Sequence, residues 1–247
     1  MRGLFVTGTD TGVGKTILSA TLLAAMSAAG EPVRAHKPII TGLDEPPDML
    51  PAAAGEMTPE EGWPPDHVLL ATTAGMTPEE VSPLRYGPAV SPHLATRLAG
   101  EQIDPDDLLA RARRAGEGEV SLIVEGVGGL LTPLADDYAV RDLAVALGLP
   151  VLIAARPGLG TINHTLLTLE AARAVGLDVR AVVLTPWPAK PSVLERSNRE
   201  SLTRLGDVEV PGLGYVPSPT AADLASIGDT LPWRRWCPPE NFTPSDS

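Results

Sequence analysis

The chain has 247 residues, 43% of them hydrophobic, and a formal net charge of −12. That field repels phosphate-rich surfaces, which argues against a general affinity for nucleic acid or anionic membranes, so any bound phosphate needs a local positive site. The single cysteine, Cys237, excludes an internal disulfide and a cysteine-based zinc centre, and no apolar run approaches the roughly 20 residues of a membrane span.

The first apolar run, Leu4–Val6, breaks at once into Thr and Gly. It is too short for a signal peptide, so the cytoplasm is the expected compartment. Gly8-Thr9-Asp10-Thr11-Gly12-Val13-Gly14-Lys15-Thr16 follows, and then a helical pattern through Leu18, Leu22 and Ala25. This is the strand–loop–helix setting of a phosphate-binding loop. Glycines turn backbone N–H groups onto phosphate oxygens, and the helix N-terminus adds partial positive charge. Lys15 is expected to reach the β- and γ-phosphates and Thr16 to ligate Mg²⁺. The usual spacing puts the first glycine at position 9, where this chain has Thr; Gly8 stands one residue earlier.

The next run, Val33–His36, ends on Lys37. Only Lys15, Lys37 and Lys190 are lysines among the 19 basic Lys and Arg residues, so Lys stands where a compact ammonium is wanted in a chain that otherwise uses Arg. A lysine at a strand end can also be merely solvated. Residues 43–66 carry six prolines and seven acids and read as an inserted surface loop. Ser91-Pro92-His93 opens a helix, and an N-cap Ser with Pro at N1 is an adequate account of it. Leu122–Val124 ends on Glu125, a natural Mg²⁺ ligand beside a phosphate loop, and Gly126-Val127-Gly128-Gly129 permits close backbone approach. Val151–Ala154 leads to Gly158-Leu159-Gly160-Thr161-Ile162-Asn163-His164, a glycine turn opening another helix. Val179–Leu184 and a weaker run at Leu213–Val216 complete the strands, and an irregular Pro-rich tail is expected over 233–247.

Continuous apolar strands alternating with helices predict an α/β fold, a mostly parallel sheet covered on both faces, in one domain over 1–232. Ligands in such sheets bind beyond the carboxyl ends of the strands. The helix from Gly160 can hold a carboxylate there, or be a structural turn.

These motifs, in this order from the phosphate loop to about Pro219, resemble the dethiobiotin synthetase family of P-loop NTPases. The resemblance implies a reaction in which diaminopelargonate takes up CO₂ as a carbamate, ATP phosphorylates it, and the second amine closes a ureido ring. It further implies that Gly12, Val13, Gly14, Lys15, Thr16 and Ile17 bind nucleotide, and that Lys15 and Lys37 stabilise phosphoryl and carbamate charge. Thr16, Glu125 and an aspartate would hold Mg²⁺; Asp66 fits the family's helix after the loop, with Asp48 as rival. Thr41 would meet the carbamate end, and Gly128, Gly160, Thr161 and Asn163 the rest of the substrate. Family members are homodimers, with the helix at Gly160–Asn163 reaching the substrate carboxylate across the interface. Where well-studied members carry an adenine-reading Asn, this chain has Thr185, then Pro186-Trp187. Weak base selectivity is therefore expected, with other triphosphates accepted, the backbone of Val216, Pro217 and Ser218 supplying the remaining contacts and Trp187 available for stacking. Two rivals share the loop. A partition- or cell-division-type ATPase carries a signature lysine where Asp10 stands, and a cobalamin-pathway amide synthase needs a glutaminase domain for which Cys237 comes too late.

Overall fold

A computed structural model describes residues 1–44 and 63–238. The elements run β1 (Arg2–Gly8), α1 (Lys15–Ala28), β2 (Val33–His36), β3 (Ile39–Ile40), α2 (Asp66–Ala74), α3 (Pro78–Val81) and β4 (Leu84–Arg85). They continue with α4 (Pro92–Ala99), α5 (Pro105–Ala115), β5 (Ser121–Glu125), β6 (Pro133–Ala135), β7 (Tyr138–Ala139) and α6 (Val140–Leu147). The last are β8 (Val151–Ala155), α7 (Thr161–Arg173), β9 (Val179–Trp187), α8 (Val193–Gly206), β10 (Gly212–Gly214), α9 (Ala221–Gly228) and α10 (Trp233–Trp236).

Six strands form one parallel sheet in the order β10-β9-β8-β1-β5-β2. Each strand presents alternate residues to opposite faces, so an unbroken apolar run feeds two cores at once. Leu4, Val6, Ile123, Leu152, Ala154 and Val183 pack with α1, α2, α9 and α10. Phe5, Leu122, Val124, Ile153, Val182 and Leu184 pack with α5, α6, α7 and α8 on the other side. The α1–α9 contact is close because position 228 is glycine: a Cβ there would lie 2.1 Å from the Thr21 carbonyl oxygen.

Residues 233–238, the described part of the expected irregular tail, depart from expectation, and 239–247 lie outside the described residues. Trp233–Trp236 is a short helix, and Trp233, Trp236 and Cys237 are buried in the first core. Two tryptophans three apart share one helical face, and their area outweighs the irregular tendency of the Pro-rich surroundings. The Trp236 indole N–H donates to Glu209 (3.2 Å), and the Arg2 guanidinium donates to the carbonyls of Cys237 (3.1 Å) and Pro238 (3.0 Å). Most of the expected 43–66 insertion, including Asp48, lies outside the described residues; Trp63 already packs on the core and Asp66 opens α2.

His36, at the end of β2, is buried, and among the described residues neither ring nitrogen has a hydrogen-bond partner. Burial, helped by the Arg111 charge, pushes its pKa from the ordinary 6.5 down to about 4. The unfolded chain therefore binds the proton more readily, and this residue's contribution to stability is fully present only above pH 6.5. As pH falls from 6.5 to 4 the expected loss is about 3 kcal/mol from this residue. Urea unfolding across that range should show the slope, and His36→Leu should flatten it.

Candidate active site

The carboxyl ends of β1, β2, β5 and β8 lie at one edge of the parallel sheet, and the loop between β1 and α1 leaves β1 at that edge. The displaced first glycine has a steric reason. A Cβ at position 8 would lie 2.7 Å from Val13 Cγ2 and 3.0 Å from the Asp10 carbonyl oxygen, where the loop folds back on its own strand. Gly12 (φ 69°) and Gly14 (φ 87°) adopt left-handed conformations that direct the backbone inward. Thr11 N–H donates to Asp10 Oδ1 (2.7 Å), and Lys15 Nζ donates to the Asp10 carbonyl (2.8 Å), closing the loop on itself. Val13 is buried, Ile17 is half-buried, and Gly14 serves as the N-cap of α1 without any side-chain cap. The first-turn N–H groups of α1 therefore face the loop unprotected by a side chain.

Strand register explains the charged centre. β2 and β5 pair His36 with Val124, so the next residue of each, Lys37 and Glu125, stand side by side. Lys37 Nζ donates to Glu125 Oε1 (2.8 Å) and to Asp66 Oδ2 (2.5 Å). Thr16 Oγ1 donates to the same Glu125 Oε1 (2.8 Å). Four residues predicted separately, Thr16, Lys37, Asp66 and Glu125, thus form one contact network, with Lys15 contributing charge beside it.

The electrostatics follow from burial and neighbours. Burial drops Lys15 to about 8, opposed by Glu125 and reinforced by Lys37. Burial also acts to lower Lys37, but the carboxylates of Asp66 and Glu125 outweigh it and hold the ammonium above its ordinary value. Partial desolvation would raise Asp66, whose side chain is still 48% exposed, yet the Lys37 charge and hydrogen bonds from Lys37 and Thr16 bring it below the usual carboxylate range.

The donor set suits Mg²⁺. Glu125 Oε2 is buried without a hydrogen bond among the described residues, so one carboxylate oxygen is open to a cation. No cluster of three or more His, Cys, Asp or Glu is assembled among the described residues, so a cage built wholly of protein carboxylates is absent from them. Two carboxylates and a hydroxyl match Mg²⁺, which keeps waters and phosphate oxygens in its octahedron.

Other predicted residues lie around this centre. The turn after β5 abuts the phosphate loop: a Cβ on Gly129 would meet the Gly8 carbonyl oxygen at 3.4 Å. Gly128 (φ 61°) has Thr132 Oγ1 against it, and that hydroxyl accepts from Gly129 N–H (2.9 Å). Thr185 is 1% exposed, packs on Gly14, and its hydroxyl has no hydrogen-bond partner among the described residues. Trp187 is engaged elsewhere, with Gly212 beneath its ring and the Arg199 guanidinium 5.3 Å from its centroid. Val216 is buried in the core beyond the end of β10, so a ligand could use only its backbone; Pro217 is exposed. Ser218 Oγ donates to Asp223 Oδ2 (2.5 Å), inside the first turn of α9. Thr41 is half-exposed after β3, and none of these hydrogen bonds joins it to the charged centre. Ser91 takes the N-cap position of α4 with Pro92 at N1, although its hydroxyl makes no cap hydrogen bond.

At α7, Gly160 is the left-handed N-cap (φ 90°), the Thr161 hydroxyl lies 3.4 Å from that of Thr165, and Asn163 is exposed. Asn198 on α8, not singled out in the sequence, braces the preceding turn by donating to the carbonyls of Pro157 (2.9 Å) and Gly158 (3.0 Å). Arg156 was also missed. It follows β8 directly and donates to the Thr11 carbonyl (3.2 Å), tying the phosphate loop to the neighbouring strand. Its strand-end position, the same signal that marks Lys37, could have identified it.

A family model described as an AAA domain matches residues 2–223. The ATP-dependent dethiobiotin synthetase BioD of Anaeromyxobacter sp. (strain Fw109-5) is 41% identical over 217 residues, covering 84% of this chain and 91% of the relative. The protein of the same name from Thermodesulfovibrio yellowstonii is 36% identical, covering 92% of this chain and 93% of its own. Among solved structures, the MinC:MinD cell division protein complex of Aquifex aeolicus superposes with a TM-score of 0.52 at 14% identity, over 96% of this chain and 92% of that one. So remote a likeness speaks to the α/β fold alone. With relatives at such identity spanning most of its length, the chain belongs to the dethiobiotin synthetase family of biotin-pathway ligases.

Proposed function

We propose that the chain closes the ureido ring of dethiobiotin from 7,8-diaminopelargonate, CO₂ and ATP, with Mg²⁺, as a cytoplasmic homodimer. The observation that carries this reading is the convergence of Lys15, Thr16, Lys37, Asp66 and Glu125 at the carboxyl ends of β1, β2 and β5. One amine of the diamine adds to CO₂, loses a proton and becomes a carbamate. A carbamate oxygen takes the γ-phosphoryl group as ADP leaves. The second amine then attacks the carbonyl carbon, phosphate departs with the C–O bond electrons, and the proton shed by that nitrogen passes to the departing phosphate or to solvent.

Each step gathers negative charge at oxygens, and none needs a protein nucleophile. The chain's own contribution is to position and to neutralise. Lys15 and the N–H groups of Gly12 to Ile17 cradle the triphosphate, and Lys37 faces the oxygen that is phosphorylated. Thr16, Asp66 and Glu125 hold Mg²⁺, which when bound neutralises the triphosphate oxygens. Thr41 borders the carbamate end, and Gly128 meets another part of the substrate. Gly160, Thr161 and Asn163 offer the N-terminus of α7 to the substrate carboxylate. Leu159, 92% exposed beside it, and the half-exposed Leu167 on the same helix support an interface there.

Phosphate release tests the reading. It should require diaminopelargonate and bicarbonate together; release with ATP alone would favour an ATPase switch instead.

Base selectivity should be weak. Thr185, packed on Gly14, cannot offer the paired donor and acceptor of an amide, which removes roughly 1–3 kcal/mol of preference for adenine. With Trp187 already sandwiched, the backbone of Val216, Pro217 and Ser218 remains to meet the base. We expect kcat/KM for CTP, GTP and UTP within about a hundredfold of that for ATP. An ATP preference of a thousandfold or more would sink the expectation without touching the ligase assignment.

A further inference from the structure

We infer that the Lys37 ammonium occupies the divalent-cation position among Thr16, Asp66 and Glu125, so that metal entry and release of Lys37 toward the reacting oxygens are a single exchange. This rests on the metal-ligand assignment proposed above.

The geometry is direct. Nζ lies 2.5 Å from Asp66 Oδ2 and 2.8 Å from Glu125 Oε1, and the same Glu125 oxygen accepts from Thr16 Oγ1 at 2.8 Å. The oxygens expected to ligate the metal are therefore already gathered around a positive centre. A Mg²⁺ ion bonds oxygens at about 2.0–2.1 Å, so it cannot take Glu125 Oε1 and Asp66 Oδ2 while the ammonium holds them, even though Glu125 Oε2 is open. Like charges that close also repel strongly in a buried setting. The ammonium must leave for the metal to use these two oxygens.

The chain is built to let the ammonium leave. The Lys37 backbone is fixed, its N–H donating to the Val81 carbonyl (2.8 Å), while its stem has four rotatable carbons. The motion is confined to a side chain. Glu125, 1% exposed, is never left without a counter-charge during the exchange, a condition whose violation is strongly destabilising. Lys37 reaches the substrate side only after the metal has taken its place, which orders binding before chemistry.

The test uses nucleotide-free protein and Mn²⁺ as a spectroscopic probe of metal affinity. Lys37→Met is expected to bind Mn²⁺ at least about tenfold tighter than the wild type, in the range of a typical coupling between competing ligands. Lys15→Met removes the same charge from outside the donor set and should change the affinity less. In chelator, Lys37→Met should melt roughly 6–20 °C lower, and millimolar Mg²⁺ should regain most of that loss while shifting the wild type little. If the variant folds only in Mg²⁺ and loses structure on chelation, the exchange is equally supported; failure to fold in either condition overturns it. Wild-type Mn²⁺ affinity in Lys37→Met, an equal gain in Lys15→Met, or a melting loss that Mg²⁺ leaves unrepaired also overturns it. Asp66→Asn and Glu125→Gln separate the two readings. If they weaken binding of Mn²⁺ with ATP while Lys37→Met behaves as wild type, only the exchange fails. If neither changes it, the ligand assignment fails with it.

Discussion

Replacing Lys37 by glutamine is expected to lower the rate of dethiobiotin formation by about 10²–10³-fold, the usual cost of one preorganised charge contact in a catalytic centre. The side chain is 5% exposed, so little water is at hand to substitute for it. The same substitution removes the partner of the buried Glu125, which costs about 3–5 kcal/mol of folding stability. The two effects are separable. Urea unfolding gives the stability loss, and steady-state turnover well below the variant's melting temperature gives the catalytic loss on folded enzyme. A near-normal rate on folded Lys37→Gln would remove Lys37 from the chemistry, whatever its stability.

The second large effect lies far along the chain. Trp233 is 0% exposed and joins the core packed on α1 and α9, with the Arg234 guanidinium 4.2 Å from its ring centroid. Trp233→Ala should cost about 3–5 kcal/mol, as large aromatic truncations in cores do. The urea midpoint should fall with the slope unchanged, since the surface exposed on unfolding is nearly the same. A loss under about 1 kcal/mol would mean that α10 only rests on the core.

Both residues bear on how much the sequence discloses. The six sheet strands were legible because strands buried on both faces are continuous apolar runs, and each begins or ends within three residues of its expected place. Lys37 and Glu125 were legible because a charge ending such a run must emerge at the carboxyl edge. Their mutual contact was not, since it depends on the register that sets His36 against Val124. The Thr16–Glu125 bond, between residues 109 apart in sequence, was hidden for the same reason. Helix α10 was missed because four residues flanked by proline carry no periodicity, and only the tertiary packing of two indoles holds it. The paired fragments β3–β4 and β6–β7, two or three residues long, are likewise below what alternation can mark.

The strand order has a consequence for how the chain is made. β1 is central, yet its two neighbours are β5 and β8, and its first partner in the sheet, Ser121, lies well over a hundred residues downstream of Arg2. At about 5–20 residues per second, a ribosome leaves Leu4-Phe5-Val6 without a sheet neighbour for on the order of 10 s. The sheet cannot grow outward from its first strand during synthesis, and β2, made next, has no place until β5 emerges to separate it from β1. Folding is therefore dominated by contacts distant in sequence, the kind that form slowly. A nascent chain halted before Ser121 carries an apolar strand with both edges open, the species most apt to be captured by a chaperone or by another copy of itself.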